Sequence, residues 1–134
     1  MGQTAISRLS RFRRVFFVVL GCYWFLLFVA THTPPVSLPQ LPKYSDKAAH
    51  FVMYAGLAYL LALCYLASRP MKLKHYWAVF LITAIYAVVD ELLQLAVNRH
   101  SDFYDGMADA LGSLTGLAAF TLTHHLLERH YKQD

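Results

Sequence analysis

Four apolar runs, each close to the length of one bilayer crossing, divide this chain. They span Val15 to about Thr31, about Lys47 to Ala67, about Tyr76 to Val97, and about Asp105 to Leu126. A helix rises 1.5 Å per residue, so about 20 apolar residues cross the ~30 Å of bilayer hydrocarbon. A helix also satisfies its own backbone hydrogen bonds, which lipid cannot do. The pattern predicts an all-α, integral membrane four-helix bundle forming a single domain over residues 1–134. Pro34, Pro35, Pro39 and Pro42 stiffen the segment after the first run, and Pro70 closes the second. Hydrophobic residues make up 57% of the chain and charged residues 15%, against about 25% charged in soluble proteins. That balance excludes a disordered chain and an ordinary soluble globule.

The charges are sorted along the chain. Arg8, Arg11, Arg13, Arg14, Arg69, Lys72, Lys74, Arg129 and Lys132 lie in alternate polar segments. The other segments hold Lys43, Lys47 and Arg99 but carry six of the eight acids: Asp46, Asp90, Glu91, Asp102, Asp105 and Asp109. By the positive-inside rule both termini are cytoplasmic, and the Pro-rich 32–46 segment and the 98–104 segment face outward. This predicts a multi-pass protein of the inner or plasma membrane, with membrane lipids as its surroundings. A nucleic-acid binder would not segregate its charges in this way.

Residues 1–31 carry basic and then apolar stretches, as a leader peptide does. Phe28 and Val29 before Ala30 leave no small-x-small cleavage pattern, so the segment reads as a span. Cys22 and Cys64 lie inside apolar runs and read as small buried hydrophobes rather than a disulfide or zinc pair.

Polar side chains within the spans gather toward the outward ends. Asp46, His50 and Tyr54 recur at four-residue spacing, as do Tyr86, Asp90 and Gln94, and then Asp105 and Asp109. Lys47 and Glu91 stand beside the first two sets. The helical rise places His50 about 5 Å below its outer end, Tyr54 and Asp90 about 10 Å, and Asp109 about 6 Å. An ion inside a span costs about 2.5–3.5 kcal/mol on insertion scales, and is tolerated when it faces a bundle interior or cavity. The expectation is therefore a polar pocket opening outward, lined by the second, third and fourth spans. Gly112-x-x-x-Gly116 lets the fourth span approach a neighbour closely, bringing Asp105 and Asp109 toward that pocket.

The ordered set Asp46-Lys47-x-x-His50-x-x-x-Tyr54, Asp90-Glu91-x-x-Gln94, Arg99-x-Ser101-Asp102-x-x-Asp105 and Gly112-x-x-x-Gly116 resembles the VanZ-like family. The resemblance covers residues 46–116. It implies a small multi-spanning membrane protein, and a link to glycopeptide tolerance, since the founding member is associated with low-level teicoplanin resistance. The family usually has Asn where this chain has Asp109.

The candidate catalytic residues are His50, Asp90 and Glu91. A histidine between carboxylates can move protons or ligate a metal. Asp90 and Glu91 point about 100° apart, so one faces the second span and the other the fourth span or the headgroups. The candidate substrate-binding residues are Asp46, Lys47, Tyr54, Gln94, Arg99, Asp102, Asp105 and Asp109. Asp46 equally suits capping of the second helix. Lys47 suits an anion anchor or a pair with Asp46. Tyr54 suits packing, with its hydroxyl bonded into the network. Gln94 can bridge donors and acceptors. Arg99 suits phosphate or carboxylate, or a pair with Asp102 or Asp105. The outer acidity admits a divalent cation, although no established metal motif is present.

Three functional readings follow. In the first, the protein binds or acts on a lipid-linked or headgroup substrate of the cell envelope. In the second, the cluster is a structural network and the protein binds an envelope partner or the glycopeptide without turnover. In the third it is a transporter, which the apolar inner halves of the spans disfavour.

Overall fold

The computed structural model describes residues 9–33, 45–96 and 103–130. Four long helices follow one another: α1 (Arg13–His32), α2 (Ser45–Leu66), α3 (Leu73–Ala96) and α4 (Phe103–His130). A short helical turn over 9–11 precedes them, so there are five helical pieces where the sequence led us to expect four. The described residues contain no strand.

Each boundary has a local cause. Thr33 follows α1 with φ −77° and ψ 130°, the extended conformation favoured before a proline, here Pro34. Asp46 lies in the first turn of α2, where a carboxylate complements the positive end of the helix dipole. After α2, the amides of Ser68 and Arg69 both donate to the Tyr65 carbonyl, and Pro70 follows. At the start of α3 the Lys72 amide donates to His75 Nδ1 at 2.9 Å. The His75 amide returns a bond to the Lys72 carbonyl at 2.8 Å. This reciprocal pair closes the helix start as a capping box does.

The closest helix pair is α2 with α4, and glycine makes it possible. A Cβ on Gly112 would overlap the Phe51 backbone carbonyl, and one on Gly116 would overlap that of Ala55. With no side chain at these two positions, the α4 backbone settles against α2 as small-xxx-small motifs allow. Below this contact, Ala58, Ala62, Leu66, Val79, Leu117 and Phe120 form an apolar core at one end of the bundle. Leu20, Leu27, Tyr54, Leu57, Cys64 and Ala87 join α1 to α2 and α3 in a second core.

The outer surface is apolar: Val18, Phe25, Val52, Ile85, Val88 and Leu122 are each more than half exposed. In water such a surface would drive association; in hydrocarbon it is solvated. Among the described residues α1, α2 and α3 are long and apolar enough to cross a membrane. The expectation of four such helices therefore holds in part. α4 has 28 residues, but Asp105, Asp109, Glu128 and Arg129 lower its apolar character. Cys64 is buried as expected, whereas Cys22 is exposed on this apolar surface.

Candidate functional site at one end of the bundle

Because successive helices run antiparallel, the C-terminal ends of α1 and α3 meet the N-terminal ends of α2 and α4. Interhelical bonds record this directly. Lys47 Nζ donates to Asp105 Oδ1 at 2.9 Å, and one turn deeper His50 Nδ1 stands 3.0 Å from Asp109 Oδ1. Both bonds join α2 to α4, three residues apart on α2 and four apart on α4, so each helix turns one face to the other. The Lys47 ammonium also lies 5.7 Å from the centre of the Tyr104 ring, within cation–π range.

His50 and Asp109 are almost wholly buried, at 1% and 0% exposure. Glu91, half-buried on α3, approaches the same place. One ligating atom each from His50, Glu91 and Asp109 lies within 4.8 Å of the other two. A second set, Asp46, His50 and Asp105, meets the same distance limit nearer the helix ends. There Asp46 is exposed, and Asp105 is held by Lys47.

Asp90 lies apart from this group, because α1 takes it. Thr31 Oγ1 on α1 donates to Asp90 Oδ1 at 3.0 Å. Gln94 Nε2 donates to Asp90 Oδ2 at 3.0 Å from the next turn of α3. His32 Nδ1 is 3.7 Å from Asp90 Oδ1, its ring stacked on Phe28. The sequence predicts that one of Asp90 and Glu91 faces the second span and the other the fourth span or the headgroups. Instead Asp90 bonds the first helix, while Glu91 turns toward His50 and Asp109. The expected pocket of three spans is accordingly a cluster built from all four long helices.

Several polar atoms of the cluster are buried without a hydrogen bond: both Glu91 carboxylate oxygens, Asp109 Oδ2, the Tyr54 and Tyr86 hydroxyls, and Ser113 Oγ. The Tyr54 hydroxyl was expected inside the network. It is not bonded to it, although the ring is fully buried and stacks near Tyr86, with centroids 6.0 Å apart. Buried polar groups are bonded in the great majority of cases, and an unpaired one costs about 1–3 kcal/mol. These groups keep hydrogen-bonding capacity that no side chain or backbone group among the described residues takes up.

Beside the cluster, α3 and α4 enclose a groove of about 440 Å³. Ala84, Ala87, Val88 and Leu92 line it from α3, and Phe103, Met107 and Ala110 from α4. Among the described residues Glu91 is its one ionisable wall residue. The small side chains Ala87, Gly106 and Ala110 create the space.

The structure thus joins Lys47 with Asp105, joins His50 with Glu91 and Asp109, and holds Asp90 with Gln94 at α1. Asp46 stands exposed at the start of α2, and Tyr54 lies one turn below His50. Arg99 and Asp102 lie outside the described residues. Sequence reasoning passes over Thr31 and reads His32 as a surface histidine near an interface or loop. The helical rise that placed His50 and Asp90 puts these two at the same end of the first span, so depth alone would have found them. Ser113, buried one turn below Asp109, is a further polar group that the sequence spacing does not single out.

The family model described as VanZ/LLP1 matches residues 8–124, most of the chain. Comparison with curated proteins gave no match, and neither did comparison with solved structures.

Proposed function

The chain belongs to the VanZ/LLP1 family, and on that premise we propose that it binds or acts on a lipid-linked or headgroup substrate of the cell envelope. One observation carries the reading. Glu91, with both carboxylate oxygens unbonded, forms part of the wall of an otherwise apolar groove between α3 and α4. A groove of this kind suits an amphiphile: hydrocarbon against Ala87, Val88 and Ala110, and a polar head beside Glu91. His50 and Asp109 form a buried imidazole–carboxylate pair with donor atoms within 4.8 Å of the Glu91 carboxylate. Lys47 near the helix ends offers a positive charge to an anionic head.

The basic residues Arg11, Arg13, Arg14, Arg69, Lys72 and Lys74 lie toward the opposite end of the bundle, so the positive-inside rule assigns the site to the extracytoplasmic face. Four membrane crossings, both termini inside and residence in the inner or plasma membrane complete the proposal. The family resemblance connects it to glycopeptide tolerance.

The non-enzymatic alternative keeps support from the interhelical bonds Lys47–Asp105, His50–Asp109 and Thr31–Asp90. A purely structural network would, however, satisfy its own members, and Glu91 is not satisfied. Transport has no comparable support, since the other end of the bundle is the apolar core around Ala62, Leu66 and Phe120.

The test is photo-crosslinking in nanodiscs with a lipid phosphate carrying a diazirine in its tail. Label concentrated on residues 84–92 and 103–110, and reduced by Ala110→Leu in a chain of unchanged melting temperature, is the expected result. Label spread evenly over all lipid-facing helices would overturn the proposal.

A further inference from the structure

We propose that His50, Glu91 and Asp109 hold a divalent transition-metal ion of the Zn²⁺ type. The inference goes beyond substrate recognition, and metal binding can be measured with no lipid substrate present. It rests first on donor chemistry. Imidazole nitrogen and carboxylate oxygen are both ligands of Zn²⁺, and three protein ligands leave a further position for water or an exogenous oxygen. The donors come from three helices and lie within 4.8 Å of one another. Ligands sharing one tetrahedral Zn²⁺ at bond lengths near 2.0–2.1 Å stand about 3.3 Å apart. The His50–Asp109 separation of 3.0 Å is already close to that value. Glu91 supplies the remaining movement, being the least buried of the three.

The second line is independent of the acids' proximity. The Tyr54 hydroxyl, at 0% exposure, has no hydrogen-bond partner. Its ring lies one turn from His50 and within electrostatic reach of Asp90, Asp109 and Glu91. Ser113 Oγ, at 1% exposure one turn from Asp109, is likewise unbonded. Buried hydroxyls of this kind commonly bond to water or to ligating carboxylates.

The third is charge. Two carboxylates packed against one imidazole, in a bundle with a hydrocarbon-like exterior, carry an uncompensated negative charge if both are ionised. No Lys or Arg among the described residues pairs with Glu91 or Asp109. Lys47 is engaged with Asp105. A divalent ion with neutral His50 makes the set neutral, which removes most of the cost of burying it. The outer set of Asp46, His50 and Asp105 competes poorly, because Lys47 occupies Asp105.

The experiment uses the full chain in detergent. It is dialysed against EDTA, reloaded with Zn²⁺, desalted, and its metal counted by mass spectrometry. About one ion per chain is expected for the wild type. Asp109→Asn and Glu91→Gln should retain less than about a tenth of that, and Glu128→Gln, at the opposite end, the full amount. As a measurement that needs no variant, Co²⁺ added to the wild type should give the intense visible bands of four-coordination. Overturning results are no retained ion in the wild type, equal retention in Asp109→Asn and Glu91→Gln, or a weak octahedral Co²⁺ spectrum. Loss of lipid crosslinking with metal retained would count against the substrate proposal alone. Retained crosslinking without metal would count against this one alone.

Discussion

His50 Nδ1 meets Asp109 Oδ1 at 3.0 Å across the α2–α4 interface, and the glycines just beyond Asp109 bring the two helices that close. Gly112 and Gly116 rest on the backbone carbonyls of Phe51 and Ala55, residues immediately after His50 and Tyr54. The packing motif and the polar pair are therefore parts of one contact. A change in either should register in both.

Gly112→Ala and Gly116→Ala should destabilise the chain by about 1–3 kcal/mol each, the usual cost of overpacking, because the atoms in the way are backbone. Gly21→Ala, in α1 with nothing near its Cβ position, should instead be neutral or stabilise by up to about 1 kcal/mol. Thermal unfolding of the three variants in one detergent decides this. Equal melting temperatures would refute the close α2–α4 approach.

Lys47 and Asp105 should behave asymmetrically. Asp105 is 5% exposed and Lys47 30% exposed, so Lys47→Met leaves a buried carboxylate without its closest partner. The expected loss is about 1–3 kcal/mol, discounted from the fully buried case for the solvent that Lys47 reaches. Asp105→Asn should cost less. A double-mutant cycle read by melting temperature measures the coupling, and additive effects would show that the pair contributes nothing.

Thr31→Val should weaken the attachment of α1. It removes the hydroxyl that donates to Asp90 Oδ1 while keeping shape. The loss should fall near 0.6–1.7 kcal/mol, about the span of interhelical bonds in membrane proteins. Thr31→Ser should restore most of it. An unchanged Thr31→Val melting temperature, or a Ser variant no better than Val, would separate α1 from the polar cluster.

Topology can be read by cysteine labelling in intact cells, with Cys22 and Cys64 replaced by alanine. A cysteine at Lys43 should react with an impermeant maleimide, and one at Lys72 should react only after the membrane is opened. The reverse pattern would invert the whole assignment and move the site to the cytoplasmic face.

The linear chain determined the class of this protein, because membrane insertion reads apolar length, charge placement and helix breakers, all local quantities. Runs near 20 residues, Pro34 and Pro70 as stops, and the four-residue recurrence of His50, Tyr54, Asp90, Gln94 and Asp109 place the helices and the depth of their polar faces. Which partner each side chain meets depends on how helices rotate and pair, and no local spacing carries that. Only the tertiary structure gave Asp90 to Thr31 on α1, turned Glu91 toward His50 and Asp109, and left the Tyr54 hydroxyl unbonded. Ala87, Gly106 and Ala110 become the floor of a groove for the same reason: small residues define a cavity only once two helices are laid side by side.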